Sequence, residues 1–266
     1  MTPSPLALVL VTASCQALAG LDAPLEGPVS SGSTDAGTPA GQLDSSAAGG
    51  SAYARAVLAD APILYLRFSE SAGVRAADSS GQKKDVVISG GPTRGRPSLI
   101  AGDPDPAVGM GATAQLLLDA VYDFPLAAAF TYELWVRPTA YGDLISNQVN
   151  RPELYGTGLC FYPQLPFVRF ERWGGTILRF AHAEDAVPAL GAVHHVVAVN
   201  TPTRPVLFVN GVRWEGKLSS SSAPLPSPSA LAVASGVKGD IDELAIYDKA
   251  LPDARILAHY ALGRGQ

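Results

Sequence analysis

Cysteine and clustered positive charge are what this chain lacks most. Only two cysteines, Cys15 and Cys160, stand far apart in 266 residues, so no disulfide framework is implied. No apolar run is long enough to cross a bilayer as a helix. The 19 Lys and Arg are outnumbered by 24 Asp and Glu and form no basic patch or stripe, which argues against nucleic acid as a partner. Residues 1–50 hold Asp22, Glu26, Asp35 and Asp44 and no Lys or Arg, so they carry four of the five net negative charges and the remainder is nearly neutral. There is no repeat with a period of roughly 20–50 residues, no contiguous EF-hand loop, no GxSxG elbow and no phosphate-cradling glycine loop. What is present is a composition 47% hydrophobic, enough for one domain with a full core plus a tail.

The N-terminal part reads as an export segment (1–19) followed by a spacer (20–52). Leu6 to Ala13 is an apolar run of signal-peptide type, although MTPSP before it lacks the usual positive residues. Ala17-Leu18-Ala19 supplies a small-x-small cleavage site. The competing choice is Cys15, whose preceding Thr12-Ala13-Ser14 resembles the lipobox of bacterial lipoproteins, with Thr where Leu is usual. A diacyl lipid on Cys15 would hold the protein on a membrane surface without a spanning helix. The expectation is therefore an exported lipoprotein at the outer membrane or cell surface, or a secreted protein if cleavage follows Ala19. Residues 20–52 are Gly, Ser, Thr, Pro and Ala with almost no large apolar side chain. Such a segment cannot bury enough surface to fold, which predicts a disordered linker.

From Tyr53 the pattern changes. Tyr53 to Asp60 predicts one or two helical turns stopped by Pro62. Ile63 to Phe68 predicts a strand with Leu64, Leu66 and Phe68 on one face and Ile63, Tyr65 and Arg67 on the other. Short strands bounded by Gly, Pro, Asn and Asp follow, clearest at 86–88, 107–109, 115–118, 130–137, 142–146, 167–172, 176–181, 193–200, 206–209 and 231–234. Asn210-Gly211 is the strongest hairpin signal. With no intervening helical pattern, residues 53–266 are expected to form an all-β, two-sheet antiparallel sandwich.

Gly239 to Tyr260 then reads as one long strand and a short C-terminal helix. Regular alternation puts Ile241, Glu243, Ala245 and Tyr247 on one face and Asp240, Asp242, Leu244 and Ile246 on the other. Pro252 suits the first helical turn, Ile256, Leu257 and Tyr260 form its stripe, and Gly263 can end it. The acids at the head of the strand are solvated, or paired, or hold a cation.

Several residues are candidates for chemistry. Asp78 in ADSSG, Asp103 and Asp105 in GDPDP, and Asp240, Asp242 and Glu243 sit beside Gly or Pro turns that free backbone carbonyls. Calcium takes six to eight such hard oxygens; the plainer alternative is that Asp caps its own turn. Glu133 in FTYELW and Glu171 in VRFERW each stand without a second carboxylate on the strand, and a retaining glycosidase needs two about 5 Å apart. No catalytic residue is assigned. His194 and His195 are adjacent on a strand and project to opposite faces, so they cannot chelate one ion together. Cys160 reads as a small buried hydrophobe. Among Tyr155, Phe161, Tyr162, Phe167, Trp173 and Trp214, most are expected to fill the core, as Trp135 is. Trp173, followed by Gly174-Gly175 in an expected hairpin turn, is the one expected to touch a ligand.

Six segments taken together, YARAVLADAPILYLRFSE, AADSSG, GDPDPAV, FTYELWVRP, HHVVAVNTPTRPVLFVNGV and GDIDELAIYDKALPDARILAHY, resemble in order the laminin-G-like jelly-roll domains of bacterial secreted proteins. These belong to the concanavalin A-like lectin and glucanase fold. The resemblance covers about Tyr53 to Gly263, and FTYELWVRP and the final strand-helix unit are its most specific pieces. The Trp that usually precedes the histidine pair is Val193 here. The resemblance implies a two-sheet jelly roll, often a structural calcium, and recognition commonly directed at carbohydrate or another surface ligand. It points to Asp78, Asp103 and Asp242 as the acids that meet at the domain edge. The DIDEL stretch lacks the leading and trailing Glu of the ExDxxE pattern of related glucanases, so the chain is expected not to be an enzyme. Two functions stand in front: a surface-tethered, non-catalytic carbohydrate-binding module, and a structural or protein-adhesion domain without a sugar site. Glycoside hydrolysis is third. An exposed aromatic platform beside polar side chains would favour the first, and a flat apolar patch on an outer sheet face the second.

Overall fold

The computed structural model describes residues 50–125, 128–150, 154–161, 167–174, 177–183, 186, 188–218 and 230–266. The export segment with Cys15, all but the last few residues of the expected linker, and Tyr162 lie outside the described residues.

The two-turn helix α1 (Ala52–Ala59) opens the described chain, with the Ser51 hydroxyl accepting from the Ala54 amide as its N-cap. Strands then follow in quick succession: β1 (Leu64–Leu66), β2 (Arg75–Ala76), β3 (Val86–Ser89), β4 (Thr93–Arg96), β5 (Ala107–Met110), β6 (Gln115–Leu118), β7 (Phe130–Ala140), β8 (Asp143–Ser146) and β9 (Val149–Asn150). The second half holds β10 (Leu154–Phe161), β11 (Val168–Gly174), β12 (Ile177–Ala183), β13 (His194–Asn200), β14 (Pro205–Val209), β15 (Val212–Glu215), β16 (Lys217–Leu218), β17 (Leu231–Val233) and β18 (Lys238–Tyr247), and helix α2 (Asp253–Gly263) closes the chain. Among the described residues the strands form two sheets. The eight-stranded one runs β15-β14-β13-β7-β18-β5-β4 with β1 also on β18; the ten-stranded one runs β16-β12-β11-β10-β8-β17-β6-β3-β2 with β9 on β10. The pairings are antiparallel, as in the long ladders β7 to β13 and β10 to β11. This is a two-sheet antiparallel jelly-roll sandwich with a C-terminal helix.

Period-two alternation builds the sandwich. Phe130, Tyr132, Leu134 and Val136 of β7 face the ten-stranded sheet and join Leu116, Leu159, Phe161 and Phe170 in the inter-sheet core. Their neighbours Thr131, Glu133 and Trp135 face the other way. There α1 and α2 cover the outer face of the eight-stranded sheet, with Tyr53, Val57 and Ile256 packed on Trp135, Val197, Phe208, Ala245 and Tyr247 as a second core. Fully burying each such large apolar side chain contributes roughly 1.5–3 kcal/mol. The expected strand at Ile63–Phe68 obeys its pattern, since Leu64, Leu66 and Phe68 enter the inter-sheet core and Tyr65 the helix-covered one. Asn210 and Gly211, at φ of 53° and 78°, make the two-residue hairpin turn with both central residues left-handed. At Gly216 the chain leaves the eight-stranded sheet, where β15 pairs with β14, for the ten-stranded one, where β16 pairs with β12. A Cβ on Gly216 would lie 2.3 Å from the Phe180 carbonyl oxygen, so only glycine fits this corner.

Three expectations are corrected. First, β18 does not alternate regularly. Its register against β7 shifts between Asp242 and Ala245, and Glu243 sits at φ 52°. That bulge puts Ile241, Leu244 and Ile246 together in the inter-sheet core and leaves Ala245 and Tyr247 on the helix side. A left-handed non-glycine residue costs on the order of 1–3 kcal/mol, and here Tyr65 and Arg67 bond the Glu243 carboxylate. Second, the inward stripe of α2 is Ile256, His259 and Gly263, while Leu257 is 44% exposed. Third, β10 is a full strand where none was expected.

Candidate functional site

The acids expected to hold calcium do not form the expected set. Asp78 closes its own turn: its Oδ1 accepts from the amides of Tyr65 and Ser80 at 3.0 and 2.9 Å, and its Oδ2 from Lys84 at 3.0 Å. Burial alone would raise this carboxyl, but those donors hold it below its usual value. Asp103 and Asp242 lie in a different cluster organised by a cation the chain supplies itself. Arg67 reaches Asp103 at 3.2 Å, Asp105 at 2.8 Å and Glu243 at 3.1 Å. Asp242 Oδ2 accepts from the Leu99 amide at 2.9 Å, whereas its buried Oδ1 has no hydrogen-bond partner. Burial pushes the Asp242 and Glu243 carboxyls up, and neighbouring acids add to it. Asp240 is separately paired with Arg96 and Arg137. Among the described residues no three His, Cys, Asp or Glu side chains are grouped so as to hold a metal ion. Three carboxylates against one arginine, with Asp242 beside them, suit a cation in charge; in ligand geometry they do not. A cleft of about 650 Å³ opens beside this cluster, between Arg67, Asp103, Asp105 and the ends of α1 and α2.

Glu133 is not poised for chemistry. It is fully buried under the helices and accepts from Tyr53 Oη and Tyr247 Oη, both at 3.0 Å, and it meets His195 Nε2 at 2.9 Å and His259 Nδ1 at 3.1 Å. His259 Nε2 lies 3.0 Å from Asp60, which also takes Arg255 at 2.9 Å. Burial alone would lower the His259 pKa, but the carboxylates of Glu133 and Asp60 beside its two nitrogens hold it above its usual value. This array fastens both helices to the sheet. His195 is thus a buried structural histidine held through Nε2 by Glu133, its Nδ1 buried without a hydrogen-bond partner, and His194 bonds the Ala189 carbonyl and Asn210 instead.

The arrangement with binding character is on the far side of the sandwich, on the outer face of the ten-stranded sheet. There β10 contributes Gly156, Gly158 and Cys160 outward, while Leu159 and Phe161 point into the core. Opposite these three on β11 stand Trp173, Glu171 and Arg169, and beyond them on β12, opposite Glu171 and Arg169, stand Phe180 and His182. Because Gly158 has no side chain, Gln148 reaches across β10 to bond Glu171 at 3.3 Å; a Cβ on Gly158 would sit 2.5 Å from Gln148 Nε2. Gly156 likewise makes room for Asn147, whose Oδ1 accepts from the Thr157 amide at 2.7 Å. Glu171 also takes the indole N–H of Trp173 at 3.3 Å and is ion-paired with Arg169.

Burial raises the Glu171 carboxyl despite Arg169, Trp173 and Gln148, and burial together with the charge of Glu171 pushes Asp143 up to about 7. Trp173 is on this face, as its position near the hairpin suggested, but its ring is only 9% exposed. The half-buried rings here are Phe167, Phe180 and His182. Cys160 is buried among them, and no described cysteine is free. Glu133 and Glu171 lie on the outer faces of opposite sheets and do not converge. The strand that makes this face, β10, was missed because glycine breaks a β-type run. The signal available was the alternation of small Gly156, Gly158 and Cys160 with Thr157, Leu159 and Phe161.

Residues 110–257, more than half of the chain, match the Laminin_G_3 family model of the concanavalin A-like lectin/glucanases superfamily. No curated protein matches the sequence. Among solved structures the chain is similar to the binding domain of Paraclostridial Mosquitocidal Protein 1, at 15% identity and a TM-score of 0.58 over 76% of this chain and 52% of that one. It is similar to botulinum neurotoxin type C, whose cell entry depends on interaction with two ganglioside molecules, at 13% identity and 0.58 over 79% and 53%. The ligand binding domain of botulinum neurotoxin serotype D, in complex with N-acetylneuraminic acid, gives 12% and 0.57 over 78% and 52%. At such identities the likeness shows the fold alone, and the chain spans about half the length of each of these structures.

Proposed function

The chain belongs to the Laminin_G_3 family of the concanavalin A-like lectin/glucanases superfamily, and from that premise we propose that it is a non-catalytic recognition module that binds carbohydrate on the outer face of the ten-stranded sheet. One observation carries this: glycines on β10 make room for Gln148, Glu171, Arg169 and Trp173, each buried, to assemble into a connected polar group beside half-buried rings. Fixed polar side chains next to aromatic surface are what a polyhydroxylated ligand needs. The neurotoxin domains of similar fold, with their ganglioside and N-acetylneuraminic acid ligands, add support by analogy. Glu171 already holds Arg169, Gln148 and Trp173, so it is a poor nucleophile, and Asp143 beside it is the only reason to assay for hydrolysis. A glycan array on the full chain tests the proposal; binding to no glycan sinks it, and release of reducing sugar from a bound glycan would make it an enzyme instead.

A second reading has its own observation. Val87 and Leu117, on neighbouring strands β3 and β6 of the same outer face, are 57% and 54% exposed, an apolar patch suited to protein adhesion. Loss of surface attachment in a Val87→Asp, Leu117→Asp variant with glycan binding intact would favour it. A structural calcium, if bound, would use Asp103 and Asp242 without Asp78. Export with a lipid on Cys15 is tested by intact mass: a lipid adduct that survives reduction supports it, and an unmodified Cys15 removes it.

A further inference from the structure

We propose that Arg96 and Arg137, clamped on Asp240, form a separate site that takes the carboxylate of an acidic saccharide on the outer face of the eight-stranded sheet. The site lies just past the helical cover. Ala107 of β5 and Trp135 of β7 pack under the helices, and Gly109 and Arg137 stand two residues further along the same strands. Their neighbours Val108, Val136 and Ile241 enter the inter-sheet core, so Gly109, Arg137 and Asp240 face outward. Asp240 of β18 stands opposite Arg137 on one side and Gly109 on the other. Arg96 comes from the edge strand β4 and crosses β5 over Gly109 to reach Asp240. A Cβ on Gly109 would lie 3.4 Å from Arg96 Cγ and Cδ and 3.2 Å from Thr93 Cβ, so glycine leaves the arginine its path.

The carboxylate lies beneath and the guanidiniums lie on top. Arg96 donates from Nε to Oδ1 at 2.8 Å and from Nη2 to Oδ2 at 3.4 Å, and Arg137 donates from Nη1 to the same Oδ2 at 3.2 Å. The Asp240 side chain is 7% exposed, whereas those of Arg96 and Arg137 are 46% and 27% exposed. Two positive charges thus meet one negative charge, and the surplus faces water. Asp242, the next acid along β18, is buried against the Leu99 amide, and burial pushes its carboxyl up, which limits the charge it adds. Asp240 occupies three of the guanidinium nitrogens, and the exposed edges keep N–H donors for a second oxyanion. A monoanion matches the single surplus charge, and a planar carboxylate matches the guanidinium fork. The exposed Thr93 beside Arg96 offers a hydroxyl to a hydroxylated ring, which favours an acidic sugar over an acidic peptide.

The site shares no residue with the face proposed above, and either can fail without the other. Isothermal titration of the full chain with trigalacturonate, 3′-sialyllactose, neutral maltotriose and a triglutamate peptide tests it. We expect an acidic sugar to bind and its Kd to weaken about tenfold in Arg137→Gln and in Arg96→Lys, the scale of one lost hydrogen bond to a charged group. Arg96→Lys keeps the charge and loses the fork, so it also decides the matter if Arg137→Gln fails to fold. Asp240→Asn adds net positive charge but releases both guanidiniums. A preorganised site then binds more weakly, and tighter binding would show a diffuse positive field instead. Arg204→Gln, at the exposed Glu215 pair, controls for charge alone and is expected to leave Kd unchanged. Binding of neither acidic sugar overturns the site, and so does maltotriose binding as tightly as they do. Binding that Arg137→Gln and Arg96→Lys leave unchanged overturns the triad while the carbohydrate function stands. Triglutamate binding as tightly as the sugars overturns the saccharide class.

Discussion

Glu133 is the residue on which the helical cover depends. Read in sequence it was a lone carboxylate on a core strand; nothing within FTYELW names Tyr53, Tyr247, His195 and His259, which come from four other places in the chain. Glu133→Ala leaves four buried donors without their acceptor, and removing one member of a buried charged network costs about 3–5 kcal/mol. A lower urea midpoint with an unchanged slope would confirm it. The pH dependence follows from two groups with opposite signs. Burial alone would raise the Glu133 carboxyl, but His259 and His195 hold it well below its usual value of 4.5. Its contribution is complete above that value and fades as pH falls further. Burial alone would lower His259, but Glu133 and Asp60 hold it above its usual 6.5. Its contribution is complete below 6.5 and is lost as pH rises through the raised value. Stability should peak between these limits, and Glu133→Gln should flatten both limbs. A denaturation series across pH whose alkaline limb is identical in parent and Glu133→Gln would show that His259 is not the group responsible.

At the scale of elements, strands with alternating large and small polar residues were legible and β10 was not. FTYELWVRP announces β7 because every second residue is large and apolar. LYGTGLCF carries its alternation in size rather than polarity, and two glycines mask it. The same glycines make the candidate face, so the least legible strand is the one the function rests on. Gly158→Ala meets only the far end of Gln148; we expect Tm to stay within a few degrees while glycan affinity falls, because Gln148 must leave Glu171. Equal loss of both would mean the glycine is structural only. The final strand-helix unit was legible as elements but not as faces, since one left-handed residue, Glu243, shifts the register beyond Asp242. In α2, Gly263→Ala pits two terms against each other. Alanine gains up to about 1 kcal/mol in helix propensity, but its Cβ would lie 2.1 Å from Trp135 Cζ2. Overpacking of that kind costs typically 1–3 kcal/mol. The expected outcome is net destabilisation with altered Trp135 fluorescence near the helix; a raised Tm would contradict it.

For the whole molecule, the sandwich itself followed from strand spacing and turn residues, and the family from six segments in order. The cation site did not follow, because acids near turns look alike in sequence whether they cap an amide, as Asp78 does, or face an arginine, as Asp103 does. If calcium sits on the Arg67 cluster, a chelator should lower Tm by roughly 5–10 °C, as loss of a ligand held near 100 times its Kd does in a domain of this size. An unchanged Tm removes the ion. The layers also fix the molecule's orientation. Both helices, and with them the point where residue 50 joins the fold, lie on the outer face of the eight-stranded sheet. The glycine-cleared face lies on the opposite side of the sandwich.

That placement gives the Glu133 array a mechanical consequence. When a partner is held on the far face and the chain N-terminal to Gly50 is pulled, the load enters through α1. It meets the Tyr53, Asp60, Arg255 and His259 contacts before it reaches any strand ladder. α1 should then peel away first, as a short early step in single-molecule force spectroscopy, lengthening the connection while the sheets and the bound partner stay intact. A trace that ruptures in one step, with no early extension, would show that the helix and the sandwich yield as one body.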